Sequence, residues 1–103
     1  MRRGEIWWAN LPEPAGRRPV LLLSRNAAYS VRLSVTVAAI TRTIRDIPVE
    51  VLLDESDGMP VRCVVNLDDI LTVPKRLISE RIAQLSDAKM TKVARAIAFA
   101  LDL

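Results

Sequence analysis

The chain has 103 residues, half of them hydrophobic and about a quarter charged, with a net charge of +3; this is the composition of one soluble globular domain spanning residues 1–103, and it excludes collagen-like and low-complexity chains. There is no histidine and one cysteine, Cys63, which removes the commonest acid/base group, any intrachain disulfide and any CxxC metal site. No apolar run reaches the ~18 residues of a membrane span, and no long apolar stretch follows the charged N-terminus as a signal peptide requires, so the composition points to a reducing cytoplasm, no cofactor and no metal.

In chain order, Glu5–Leu11 holds Trp7 and Trp8 and stops at Pro12, a strand signal. Adjacent strand residues face opposite sides; both indoles are expected to pack, one of them in the core. Pro12–Gly16 reads as a tight turn. Pro19–Ser24 is continuously apolar, hence a buried strand, and Asn26–Leu33 is irregular or a single helical turn. Ser34–Thr41 is rich in β-branched residues and Pro48–Leu53 alternates; both are expected strands. Asp54–Gly58 is a turn, Val61–Asn66 and Ile70–Val73 are two further strands, and Pro74–Leu77 begins like a helical turn. Ser86 is placed to cap a helix running to about Leu101. Its apolar stripe is Met90, Val93, Ala94, Ile97, Ala98 and Leu101, at helical spacing. Short strands followed by one amphipathic helix make a mainly β fold, a small barrel buttressed by a C-terminal α-helix.

Charge is unevenly spread. Pro14 to Arg45 holds six arginines and no carboxylate, whereas Asp46 to Asp69 holds seven carboxylates against Arg62 alone. An Arg-only block suits phosphate oxygens, which the guanidinium fork grips in pairs. It equally suits a solvated basic face. Arg17, Arg25, Arg42 and Arg45 are candidate phosphate contacts, which position a nucleic acid without reading its sequence. Asn66, Asp68 and Asp69 offer groups able to read base edges of an unstacked strand. Asp68 and Asp69 as an acid/base dyad carry little weight, because strand neighbours point apart. Cys63 reads as a buried small hydrophobe.

Arg3-Gly4-Glu5-Ile6-Trp7-Trp8-Ala9-Asn10-Leu11 followed by Gly16-Arg17-Arg18-Pro19-Val20-Leu21-Leu22-Leu23-Ser24 resembles the MazF/PemK family, the toxins of bacterial toxin–antitoxin modules. The resemblance continues through Val37–Thr41, Cys63–Val73, Lys75-Arg76-Leu77 and the Ile82 to Leu85 step into the last helix, in order over nearly the whole chain. It implies an SH3-like barrel acting as a homodimer. It implies metal-independent, sequence-specific cleavage of single-stranded RNA (mRNA, with tRNA or rRNA as further candidates), through 2′-OH attack that leaves 2′,3′-cyclic phosphate and 5′-OH ends. It implies a cognate antitoxin with an acidic or amphipathic tail. Its catalytic arginine before proline matches Arg18, and its threonine at the end of the third strand matches Thr41. Two departures are visible: the first loop is short, with Glu13 its sole acid, and Asp68, Asp69 and Leu71 stand where many members carry Glu-Gln and Arg. The alternatives are a gyrase-poisoning toxin of the same fold, a non-catalytic RNA-binding barrel, and a degenerate toxin kept as a platform for its antitoxin.

Overall fold

The computed structural model describes residues 1–103, running β1 (Glu5–Asn10), β2 (Arg17–Leu22), a single-turn helix α1 (Ala28–Val31), β3 (Ser34–Thr41), β4 (Glu50–Leu53), β5 (Cys63–Pro74), β6 (Ile78–Gln84) and α2 (Asp87–Leu101). Short 3₁₀ turns at Glu55–Asp57 and Lys75–Leu77 join β4 to β5 and β5 to β6. The strands form one sheet in the order β4-β5-β3-β2-β1-β6, every neighbour antiparallel. The ladders do not close, since β4 and β6 are its free edges. The expected SH3-like barrel is therefore an open one.

Two apolar clusters fill the molecule. One gathers Ile6, Leu21, Ala38, Leu53, Val65 and Leu67 under Val93 and Ala96 of α2; the other gathers Ala9, Val20, Leu22, Val35 and Val37 with Tyr29 and Ile78. Their members alternate along β2 and β3, as period-two strands with both faces covered must. Trp7 packs against the second cluster, and its indole N–H donates to Glu5 Oε1 at 3.1 Å.

Three elements differ from the sequence reading. The two strands expected at Val61–Asn66 and Ile70–Val73 are one strand, β5, with a bulge. Ala39 pairs with Asn66 and Ala38 with Ile70, so Leu67, Asp68 and Asp69 are extra residues on the β5 side. Asn66 Oδ1 accepts from the Asp68 amide at 3.0 Å, folding the bulge, while Leu67 is driven into the core at 0 % exposure. Strand β6 was not expected. It is an edge strand whose pairing with β1 shifts register twice, between Ile6 and Trp7 and between Trp7 and Ala9. Those shifts erase the alternation that marks a strand.

The C-terminal helix lies where expected but is rotated. Ser86 Oγ accepts from the Lys89 amide at 3.1 Å and caps it. The buried face is Met90, Val93, Ala96, Ile97 and Ala100, while Ala94 and Leu101 point to solvent. The helix stops at Asp102, whose φ of 56° lets Leu103 N donate back to Ala98 O at 2.8 Å. No helix is long and apolar enough to cross a membrane.

Candidate active site

A proline opens the site. The β2–β3 ladder runs Leu22↔Val37, Leu21↔Ala38, Val20↔Ala39 and stops at Pro19, which has no N–H to donate. On its other side β2 stays paired to β1 as far as Asn10↔Arg17. The chain therefore parts between β2 and β3 only. Counting on two residues from Val20↔Ala39 sets Arg18 across from Thr41, on the same face as that pair. The parting is a cleft of about 530 Å³. Trp8, Arg17, Arg18 and Pro19 form one wall, Thr41, Arg42 and Thr43 the other, and Ile40, Met59 and Cys63 the apolar floor.

Three arginines and no carboxylate line this cleft. Arg18 is half-buried, and its Nε donates to Ala15 O at 3.3 Å. That contact orients the guanidinium while leaving both terminal amino groups free to fork onto an anion. Arg17 lies with Cζ 4.7 Å from the centroid of the Trp8 ring. Its Nη1 reaches Asn10 Oδ1 and Ser79 Oγ, each at 3.4 Å, and its Nη2 stands 4.0 Å from Glu80 on β6. Both partners of that ion pair are well exposed, so it holds Arg17 weakly.

Thr41 ends β3, and its Oγ1 accepts from the Thr43 amide at 3.1 Å. With that lone pair occupied, the hydroxyl hydrogen is left to donate to an incoming oxygen. Arg42 is exposed on the same wall. Cys63 on the floor is 2 % exposed; burial pushes its thiol up, and Asp57 nearby adds to the rise. It is a protonated, inert group at neutral pH.

The structure thus brings Arg17, Arg18, Thr41 and Arg42 to one cleft. It does not bring Arg25, Asn66 or Asp68 there. Arg25 lies beyond the opposite end of β2, where its carbonyl accepts from Ala28 N at 2.9 Å to start α1. Asn66 and Asp68 belong to the β5 bulge. Trp8, read as a packing residue, is half-buried and walls the cleft under Arg17. Met59 and Pro60, which also line the cleft, give no signal in the sequence, because they lie in a stretch without charge or periodicity.

A second buried network escaped sequence reasoning. Glu5 is 7 % exposed; its Oε1 accepts from Arg2 N at 2.8 Å and from the Trp7 indole, and its Oε2 pairs with Arg81 Nε at 3.1 Å. Burial alone would raise its pKa, but the Trp7 and Arg2 hydrogen bonds, the N-terminal ammonium and Arg81 outweigh it and hold the carboxyl below its ordinary 4.5. It ties β1 to β6 behind the site. No three His, Cys, Asp or Glu residues are grouped to hold a metal ion.

The family profile described as PemK-like, MazF-like toxin of type II toxin–antitoxin system matches residues 2–101. A Mycobacterium tuberculosis protein named probable endoribonuclease MazF5 is 41 % identical over 101 residues, 97 % of this chain and 92 % of that protein. The solved structure of the Mycobacterium tuberculosis toxin MazF-mt6 superposes with a TM-score of 0.89 at 34 % identity, covering 96 % of this chain and 97 % of that one. A mycobacterial endoribonuclease solved in complex with its cognate antitoxin gives 0.88 at 30 % identity, covering 100 % of this chain and 96 % of that one.

Proposed function

Because the chain belongs to the PemK-like, MazF-like toxins of type II toxin–antitoxin systems, we propose that it cleaves single-stranded RNA at short sequences by turning the RNA's own 2′-hydroxyl on the adjoining phosphate. The observation that carries this reading is that Arg18 and Thr41 line one cleft, which holds three arginines and no carboxylate. A scissile phosphate between them meets a guanidinium fork on one side and a hydroxyl donor on the other.

The reaction is a transesterification. The 2′-oxygen forms a bond to phosphorus as the bond from phosphorus to the 5′-oxygen breaks. The proton lost by the 2′-hydroxyl is matched by the one gained at the 5′-oxygen, leaving a 2′,3′-cyclic phosphate and a 5′-OH. Arg18 neutralises the charge that builds on the non-bridging oxygens, and Thr41 donates to one of them. Attack needs the 2′-oxygen, phosphorus and 5′-oxygen in line, so holding the strand straight through the cleft supplies much of the rate. Arg17 and Arg42 grip the flanking phosphates, and Trp8 offers an aromatic surface beside them. Arg25, Asn66 and Asp68, off the cleft, are proposed as contacts of longer RNA.

The chain functions as one toxin domain in the cytoplasm, as a homodimer. Phe99, Leu101 and Leu103 at the end of α2 are 63 %, 56 % and 85 % exposed, a run of apolar surface that a twofold partner would cover. The antitoxin it needs carries an acidic or amphipathic tail, since carboxylates compete with phosphates for an arginine cleft. The test is end-mapping of RNA after incubation with the purified toxin, beside the same RNA with 2′-deoxy substitution at the cut site. Cyclic-phosphate ends on the first and no cut in the second support the reading. Cleavage of the 2′-deoxy RNA overturns the mechanism.

A further inference from the structure

The segment from Arg42 to Val49 leaves the end of β3 and returns at β4, and it carries Arg42 and Thr43 into the cleft. It has little structure of its own. Between Arg42 and Pro48 the one backbone–backbone hydrogen bond is Ile47 O accepting from Glu50 N at 2.9 Å. Two side chains hold the rest: Thr41 Oγ1 accepts from the Thr43 amide at 3.1 Å, and Glu50 holds the middle of the segment. Glu50 Oε1 accepts from the amides of Arg45 at 2.9 Å and Asp46 at 3.0 Å. Two consecutive N–H groups converging on one oxygen form an anion-binding nest, and here the anion is built into the chain.

The clamp is buried. The Glu50 side chain is 2 % exposed, and Arg45 Nη1 lies 3.7 Å from Oε2, which has no hydrogen-bond partner. Asp46 turns the chain at φ 55°, the left-handed region that aspartate enters more readily than most residues. Glu50 is itself fixed in the sheet, opposite Asn66 of β5. The carboxylate therefore connects a strand of the sheet to a loop that has no other hydrogen bond between Thr43 and Ile47. At the loop's other end, the Thr43 amide is the group that orients the Thr41 hydroxyl.

We propose that Glu50 is a positioning residue for RNA cleavage: its buried carboxylate clamps the Arg45–Asp46 turn and so fixes the 42–49 loop that presents Arg42, Thr43 and the oriented Thr41 hydroxyl to the scissile phosphate. This rests on the cleavage reading above. Glu50 touches no substrate; it acts through the loop. One oxygen of the carboxylate accepts both amides, so an amide side chain that keeps one carbonyl acceptor keeps both contacts, gives up only the 3.7 Å ion pair to Arg45, and should serve nearly as well.

The test compares wild type, Glu50→Ala and Glu50→Gln. Amide hydrogen exchange at Arg45 and Asp46 reads the clamp directly, without RNA. Single-turnover cleavage at saturating RNA reads the chemical step, and affinity for an oligonucleotide with 2′-deoxy substitution at the cut site reads binding. In Glu50→Ala the two amides should lose protection, and cleavage should slow by ~10–100-fold, the effect of a small misplacement at a reacting centre. The affinity for the uncleavable strand should fall by much less, and Glu50→Gln should recover most of the rate. Where Glu50→Ala does not fold, Glu50→Asp carries the same test, because it keeps the charge and withdraws the oxygen by one methylene. A folded Glu50→Ala or Glu50→Asp protein cleaving at the wild-type rate overturns the proposal. So does slowed cleavage with both amides still protected, or a Glu50→Gln protein as slow as the Ala variant. Wild-type protein that cuts no RNA overturns the cleavage reading itself, and the exchange data then report the clamp alone.

Discussion

Arg18 and Thr41 stand across from one another two residues beyond Val20 and Ala39, the last pair of the β2–β3 ladder. Each is held by the sheet on its outer side alone, Arg18 opposite Ala9 of β1 and Thr41 opposite Val64 of β5, and each is oriented, Arg18 by Ala15 O and Thr41 by the Thr43 amide. Arg18→Ala should cleave ~10²–10³-fold more slowly while keeping its fold, the usual cost of removing a transition-state charge stabiliser. Arg18→Lys should not rescue it, because a point charge cannot fork onto two oxygens. Thr41→Ser should retain activity and Thr41→Val lose it. Single-turnover cleavage with far-UV circular dichroism checks all four; a folded, fully active Arg18→Ala protein refutes the role.

Arg17 belongs to the same cleft but should behave differently. It is half-exposed and shares its guanidinium among Trp8, Asn10, Ser79 and Glu80. Arg17→Ala should weaken binding of an uncleavable RNA about equally for every sequence and reduce the slope of log affinity against log salt by about 1. A change in which sequences are cut would show that it reads bases instead.

Glu5 predicts an acid-sensitive stability. Its carboxyl is held below 4.5 in the folded chain. A depressed carboxylate contributes stability that is complete above the unfolded pKa and is lost as pH falls through the folded one. Glu5→Gln should therefore cost roughly 1–3 kcal/mol at neutral pH, with the gap between variant and wild type closing in acid below pH 4.5. Urea unfolding of both proteins across that range is the measurement, and a gap that widens in acid would contradict the assignment.

Cys63 should be silent. With its thiol buried and pushed up, it is almost wholly protonated at neutral pH. Iodoacetamide should leave the folded toxin unmodified and active, and should label it fully in denaturant; rapid labelling of the native protein by mass spectrometry would disprove this.

Gly58 closes the turn after β4 at φ 88°, and a Cβ there would stand 3.0 Å from Ala83 Cβ on β6. Gly58→Ala meets both a left-handed backbone and a neighbour in place. It should destabilise the fold by about 1–3 kcal/mol, seen as a lowered thermal midpoint.

What the sequence makes legible follows from how local each cause is. The cap at Ser86 and the stop of β1 before Pro12 are written within a few residues, and both are read directly. The bulge at Leu67–Asp69 needs β3 as its partner, so its two halves read as separate strands. Strand β6 lacks alternation because β1 shifts against it, a fact absent from Ile78–Gln84 alone. In the site, Arg18 and Thr41 were named from their resemblance to a motif, whereas their facing each other depends on the register of two strands. Glu5 and Glu50 gave no sign of their parts, and nothing local tells which of the two adjacent indoles faces the cleft: a single carboxylate or indole reads the same whether buried or wet until its distant neighbours are known.

The two indoles of β1 face opposite ways, and that split makes the molecule its own optical sensor. Trp7 is tied to Glu5 behind the sheet, while Trp8 walls the cleft beneath a guanidinium. Whatever enters the cleft and draws Arg17 away alters the surroundings of one fluorophore and not the other. With Trp7 replaced by phenylalanine, the emission of the remaining tryptophan would follow occupancy in real time, and a single unlabelled protein would report whether RNA and antitoxin each enter the cleft.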